Sequence, residues 1–399
     1  MHRWWPFLVL LAGCGPWTPA AGDSTLTVGG EDSGSSTSMG GGSSGGPQAC
    51  ADPNQCFGPP LELAVGIAVD SILAGDVDGN GRADLVARGT AGTPLRVLVQ
   101  QFADHFDVYT ATPDGGLGAL LVDVDRDGRD DLVESEGASI SLYDADSHLT
   151  ERERVSTVGA SFAALRRLDS VDAGAIHLMA EDRGAGAIAV VRLDNDPFAA
   201  VLDTTAYGSE PGVTHTSNGV DVGDVDGDGS TDVIAVIDTY GTDSHAAEVR
   251  VWPRGLPHYG ASWFSGEGHT QAIGDVDGDL RDDVLVLEYF GRLHRYAWTG
   301  PSSIADVGGY DASDGDVLAV GDISGDGIAD VVIGRHASDD NPRLDLLVDW
   351  DDGAPQAHTL ALEHELDALV LVDLDGDHRL DIVGGSTALA TLTLVLAQP

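Results

Sequence analysis

The chain contains no lysine: all twenty of its basic residues are arginine. That excludes a Walker A nucleotide loop and any lysine Schiff base. Basic charge is scarce altogether, with 66 Asp and Glu giving a formal charge of -46. Such a surface repels phosphate backbones, which excludes nucleic acid as a partner. No HExxH zinc motif occurs, and the nearest fragment, EHEL at 363–366, lacks the second histidine. A formal GxSxG match, GGSSG at 41–45, lies in a Gly/Ser-rich stretch with no strand-to-helix elbow to present its serine. What the chain does have is apolar content: 42% of its residues are hydrophobic, enough for a large core. Disorder would require low hydrophobicity as well as high charge, so the acid excess points to cation sites or a solvated acidic surface.

Cysteine is also sparse, and its three positions are informative. Arg3 is followed by a mostly apolar run, Trp4 to Ala12, then Gly13 and Cys14. This is the layout of a signal peptide, too short to span a bilayer. Leu11-Ala12-Gly13-Cys14 resembles the bacterial lipobox, which implies removal of residues 1–13 and a lipid on the Cys14 thiol. A second segment, 14–58, is expected to be a tether. Its residues 15–49 are dominated by Gly, Ser, Thr, Pro and Ala without apolar periodicity, and such a coil spans about 30 Å. Cys50 and Cys56 close the short loop CADPNQC, and in an oxidising envelope they are expected to pair. The folded domain is expected over 59–399.

Within that domain GDVDGNGRADLV, residues 75–86, returns at a fixed spacing. DVDRDGRDD starts at Asp123, DVDGDGSTD at Asp224, DVDGDLRDD at Asp275, DISGDGIAD at Asp322 and DLDGDHRLD at Asp373. A degenerate unit starting at Asp169, with Val171, Ala173 and His177 at its third, fifth and ninth positions, fills the widest gap. Starts at 76, 123, 169, 224, 275, 322 and 373 make seven repeats of 46 to 55 residues. Periods near fifty suit four-stranded propeller blades. Each unit reads as strand, tight loop, β-branched strand, then a third and a weaker fourth strand. The expected fold is therefore an all-β, seven-bladed β-propeller with calcium loops in six blades. The last unit ends at its third strand, and LELAVGIAV, residues 61–69, has no partner of its own. It is expected to supply the missing fourth strand and close the ring.

Calcium takes six to eight oxygens, and a loop can wrap one ion with ligands at positions 1, 3, 5, 7 (a backbone carbonyl) and 9. Position 1 is Asp76, Asp123, Asp224, Asp275, Asp322 or Asp373, and position 3 is Asp78, Asp125, Asp226, Asp277, Ser324 or Asp375. Position 5 is Asn80, Asp127, Asp228, Asp279, Asp326 or Asp377. Position 7 varies among Arg82, Arg129, Ser230, Arg281, Ile328 and Arg379, as a backbone ligand permits, and position 9 is Asp84, Asp131, Asp232, Asp283, Asp330 or Asp381. Without an ion these carboxylates would repel one another, so about six Ca2+ ions are expected; magnesium or vestigial sites are the alternative. An EF-hand fits only the second loop, where Glu134 stands at position 12 and is a candidate further ligand.

These loops resemble the FG-GAP/VCBS repeats, the calcium-bearing blades of integrin alpha propellers and many bacterial surface proteins. The resemblance covers 60–399, with departures at Asn80, Ser324, Leu280, His378, Arg126 and the unit at 169. It implies calcium loops between first and second strands on one face and partner-binding loops on the opposite face. Two longer second-to-third connections, Asp238–Glu248 and Arg335–Arg343, offer Tyr240, His245, Arg335 and His336 as candidate partner-binding residues. Trp252, Trp298 and Trp350, near the ends of third strands, are read as inter-blade packing ahead of sugar stacking. His177 is read as a surface or packing residue. The functional expectation is a monomeric, lipid-anchored, calcium-binding module for a protein or glycan at a bacterial envelope. The alternative is an extracellular hydrolase or lyase acting on polysaccharide or lipid, since some propellers of this kind resemble such enzymes.

Overall fold

The computed structural model describes residues 24–27 and 56–398, apart from short stretches between strands, of which 169–175 and 207–213 are the longest. Its described strands form seven antiparallel sheets. Blade 1 runs outward in chain order through β3 (Ser71–Gly75), β4 (Asp84–Arg88), β5 (Arg96–Phe102) and β6 (His105–Thr110). The innermost strands of blades 2 to 7 are β7 (Gly118–Val122), β11 (Phe162–Leu168), β15 (Thr214–Gly223), β19 (Gly268–Gly274), β23 (Gly315–Gly321) and β27 (Ala368–Val372). Consecutive innermost strands are neighbours around the whole ring, with β27 returning to β3. The protein is a seven-bladed β-propeller.

Both faces of a blade are buried against its neighbours, which is why strands such as SILAG and DLVAR are buried at every position instead of alternating. Ile72 and Leu85 of blade 1 share a core with Val370 and Val383 of blade 7, while Leu73 and Val86 pack with Leu121 and Leu132 of blade 2. Trp252 and Trp350 are buried in such inter-blade cores and Trp298 packs against another, in keeping with the packing role. His177 is buried in β12 (Ile176–Asp182), between Leu168 and Arg192 on adjacent strands.

Ring closure follows the sequence. Strand β2 (Leu61–Ala64) pairs with β29 (Thr391–Val395), Leu61 opposite Leu394 and Ala64 opposite Thr391, as the outermost strand of blade 7. The junction continues outward, where Phe57 bridges Ala397 and the Gln398 amide donates to the Cys56 carbonyl at 2.5 Å. Cys56 is buried and disulfide-bonded; Cys50 and Cys14 lie outside the described residues.

One element departs from expectation. Within the stretch read as a structureless tether, β1 (Ser24–Thr27) pairs antiparallel with β6, Ser24 opposite Val108 and Thr27 opposite His105. The fragment STLT has the β-branched alternation a strand favours, and the outer edge of blade 1 supplies unpaired backbone groups for it. No helix among the described residues is long and apolar enough to cross a membrane.

Candidate cation loops

The six acidic loops share one backbone design. Positions 4 and 6 both take left-handed φ in every loop: Gly79 (75°) and Gly81 (84°) in blade 1, Gly227 (74°) and Gly229 (80°) in blade 4. Glycine adopts this region freely. Arg126 (65°), Leu280 (68°) and His378 (68°) adopt it without being glycine, so the sequence departures change the residue and keep the turn.

This double reversal aims amides at the position 1 carboxylate. The position 6 N–H donates to its Oδ2 in all six loops, at 2.6–3.1 Å. The position 7 N–H donates to the position 5 side chain in all six, at 2.8–3.0 Å. Two of the position 7 arginines bond to backbone away from their own loop: Arg379 Nη1 donates to the Gln398 carbonyl, and Arg129 Nη1 to that of Ala145.

Position 9 joins the loop to its blade. Asp84 Oδ2 accepts from the Val77 and Asp78 amides, while its Oδ1 accepts from Gln100 on the third strand at 2.7 Å. Asp131 and Asp381 make the same double link, to Val124 and Ala145 and to Leu374 and Ala397. Burial pushes the carboxyls of Asp131, Asp283, Asp330 and Asp381 up to about 7, and that of Asp84 well above its usual range, despite these hydrogen bonds. Asp78, with Asp76 close by, is pushed to about 6, again mainly by burial. Desolvated, crowded carboxylates of this kind are what a divalent cation would neutralise.

Carboxylate oxygens converge to within 4.8 Å in five of the loops. Blades 1, 4 and 7 bring together positions 1, 3 and 9: Asp76-Asp78-Asp84, Asp224-Asp226-Asp232 and Asp373-Asp375-Asp381. Blades 2 and 5 bring together positions 1, 3 and 5: Asp123-Asp125-Asp127 and Asp275-Asp277-Asp279. The donor chemistry is all oxygen and fits a hard cation such as calcium. Asp322, Asp326 and Asp330 of blade 6 are not among these sets, because Ser324 replaces the carboxylate at the centre of the loop.

Two expected site residues act elsewhere. Glu134 is not part of the blade 2 set. It lies within β8 (Asp131–Glu136), fully buried, with its Oε1 3.5 Å from Arg88 Nη2 of blade 1, so it joins blades instead of completing a loop. Arg335 is not a surface residue. It is 8% exposed, its Nε donates to Asp345 Oδ2 at 2.5 Å and its Nη2 to the Asp311 carbonyl, because the end of its strand is covered by blade 5. Tyr240 is exposed, at 38%. His245 opens β17 (His245–Trp252), and His336 lies outside the described residues.

A clasp that the repeat pattern does not reveal joins successive blades. Position 8 of blade 2, Asp130, accepts from the Asp76 amide at 3.0 Å and donates its own N–H to the Asp76 carbonyl at 2.8 Å. Asp282 of blade 5 does the same with Asp224, at 2.7 and 3.0 Å. Ala329 of blade 6 keeps only the backbone half, to Asp275. The doubled acid of RDD at 129–131 and 281–283 was the available signal.

The fold resembles that in two crystal structures of BBS1N in complex with ARL6DN, one soaked with mercury and one with lead. Their TM-scores are 0.59 and 0.58, each at 11% identity, covering 86% and 84% of this chain and 97% of each compared chain. A WD40 β-propeller domain of Doa1 aligns over 85% of this chain and 97% of its own at 12% identity, with a TM-score of 0.47. At such identities the likeness is one of fold. No protein-family signature and no curated protein sequence matches the chain.

Proposed function

We propose that this chain is a calcium-binding propeller of the FG-GAP/VCBS kind, carried at a bacterial cell envelope by a lipid on Cys14 and acting as a binding or adhesion module for a protein or glycan. The observation that carries the calcium reading is the convergence of the position 1, 3 and 9 carboxylates in the loops of blades 1, 4 and 7, all joining first to second strands and so at one end of the ring. In the blade 1 loop, Asp76, Asp78, Asn80 and Asp84 would hold the ion with the Arg82 carbonyl. A bound calcium supplies positive charge that fixes the loop. The protein's own part is to orient Asp76 through the Gly79, Asn80 and Gly81 amides and to hold Asp84 against the third strand. Loop order is then coupled to ion binding.

For the module role, the propeller is a rigid scaffold whose opposite end presents the second-to-third connections, where Tyr240 is exposed. Its fold likeness to a propeller crystallised with another protein supports the same reading.

Calcium titrated into the metal-stripped protein, followed by thermal melting, tests the core of this reading. Stabilisation of about 2.7 kcal/mol per site is expected at one hundred times the dissociation constant; an unchanged melting temperature overturns it. The anchor is tested by labelling expressing cells with a fatty-acid probe, where Cys14→Ser should abolish labelling.

A further inference from the structure

The blade 5 loop differs from its counterparts in the residue that the third strand buries behind it; the arginine at the blade 2 loop, Arg152 on Asp125, is by contrast exposed. Position 11 of each loop faces one residue on the third strand. In blades 1, 2, 4, 6 and 7 that residue is apolar: Val97 opposite Val86, Leu142 opposite Val133, Val251 opposite Ile234, Leu346 opposite Val332, and Leu394 opposite Val383. In blade 5 it is Arg295, opposite Leu285, on β21 (Arg292–Gly300). Arg295 is 6% exposed, so a permanent charge occupies a position that is core in the other five blades. A charge so placed must be paired.

Its partners are loop carboxylates. The Nη2 donates to Asp277 Oδ2, and the Nε lies 3.0 Å from Asp283 Oδ2. These are positions 3 and 9, two of the three that converge in blades 1, 4 and 7. In blade 5 the converging set is instead Asp275, Asp277 and Asp279, with Asp283 held against the guanidinium. A cation using positions 3 and 9 here would have to displace Arg295 and strand its charge between blades.

We propose that Arg295 serves as the built-in cation of the blade 5 loop, which is thereby closed to calcium while the loops of blades 1, 4 and 7 take the ion. This rests on the cation reading of those three loops. The ring then has ion-set loops and an arginine-set loop, so that part of it holds its geometry when calcium is withdrawn.

Calorimetric titration of calcium into the intact, metal-stripped protein counts the sites. Asp226→Asn in blade 4 should lower the count by one, whereas Asp277→Asn should leave it unchanged. Arg295→Met, which restores the apolar character of the other blades, should raise it by one. Asp277→Asn lowering the count as Asp226→Asn does, or folded Arg295→Met leaving it unaltered, overturns the proposal. Melting without calcium separates this from the underlying reading. Asp277→Asn should lower the melting temperature by loss of the ion pair, and Asp226→Asn should not, since it relieves repulsion. If no calcium binds at all, that melting difference alone decides: its presence keeps the arginine clamp and discards the cation reading, and its absence discards both. Should Arg295→Met fail to fold, the two asparagine variants still decide.

Discussion

Asp130 closes onto Asp76 of the preceding blade by two reciprocal hydrogen bonds, N–H to carboxylate at 3.0 Å and N–H to carbonyl at 2.8 Å. The contact joins the two loops at their first and eighth positions, so the geometry of one loop is set partly by the next. Asp130→Ala leaves the buried Asp76 amide without its acceptor and should cost about 1–3 kcal/mol. Asp130→Asn keeps an acceptor there and should cost much less. Urea denaturation of the two variants distinguishes them.

Gly75 is the residue that makes room for this clasp. A Cβ there would stand 2.7 Å from Asp130 Oδ2 and 3.2 Å from Leu121 Cδ1. Gly75→Ala should therefore destabilise by about 1–3 kcal/mol through overpacking. The loss should shrink when Asp130→Ala is already present, giving a measurable coupling in a double-mutant cycle.

Leu280 and His378 sit at position 6 with φ of 68°, where four of the six loops have glycine. Both are exposed, Leu280 at 86%, so replacing them removes little packing. A left-handed side-chain residue costs about 1–2 kcal/mol, partly offset by the greater unfolded entropy of glycine. Leu280→Gly and His378→Gly should each stabilise by about 0.5–1 kcal/mol. Gly229→Ala, with open space around it but φ of 80°, should destabilise.

The raised carboxyls give a pH dependence that calcium should reverse. Asp131, Asp330 and Asp381 titrate near 7 in the fold, chiefly through burial, against about 4 when unfolded. Between those values the folded state binds more protons than the unfolded one, so stability falls as pH rises from about 4 to about 7. In chelator the protein should melt higher at pH 5 than at pH 7.5. Saturating calcium favours the ionised forms and should abolish or invert that order. Melting curves at the two pH values, with and without calcium, check the sign.

Leu63 is buried in the core shared by blades 7 and 1, on the short strand that completes the ring. Deleting residues 61–69 exposes the edge of β29 and should convert a monodisperse protein into aggregates or oligomers, visible by size-exclusion chromatography. A soluble, equally stable truncation would show that the ring closes without this strand.

The sequence by itself determined the seven-fold repeat, the strand–loop–strand grammar and the strand that closes the ring. These depend on alternation and on ligand spacing within nine residues, which the chain carries locally. Even Arg126, Leu280 and His378 left the loops legible, because backbone amides and carboxylates impose the turn whatever residue occupies it. Only the tertiary structure decided which carboxylates meet, that Glu134 pairs with Arg88, that Arg335 is buried on Asp345, that Asp130 clasps Asp76, and that Arg295 lies against Asp277 and Asp283. Each of these is set by how one strand or blade lies on another. Inter-blade distance and side-chain direction follow from packing of the whole ring, and a repeat unit read alone holds no record of them.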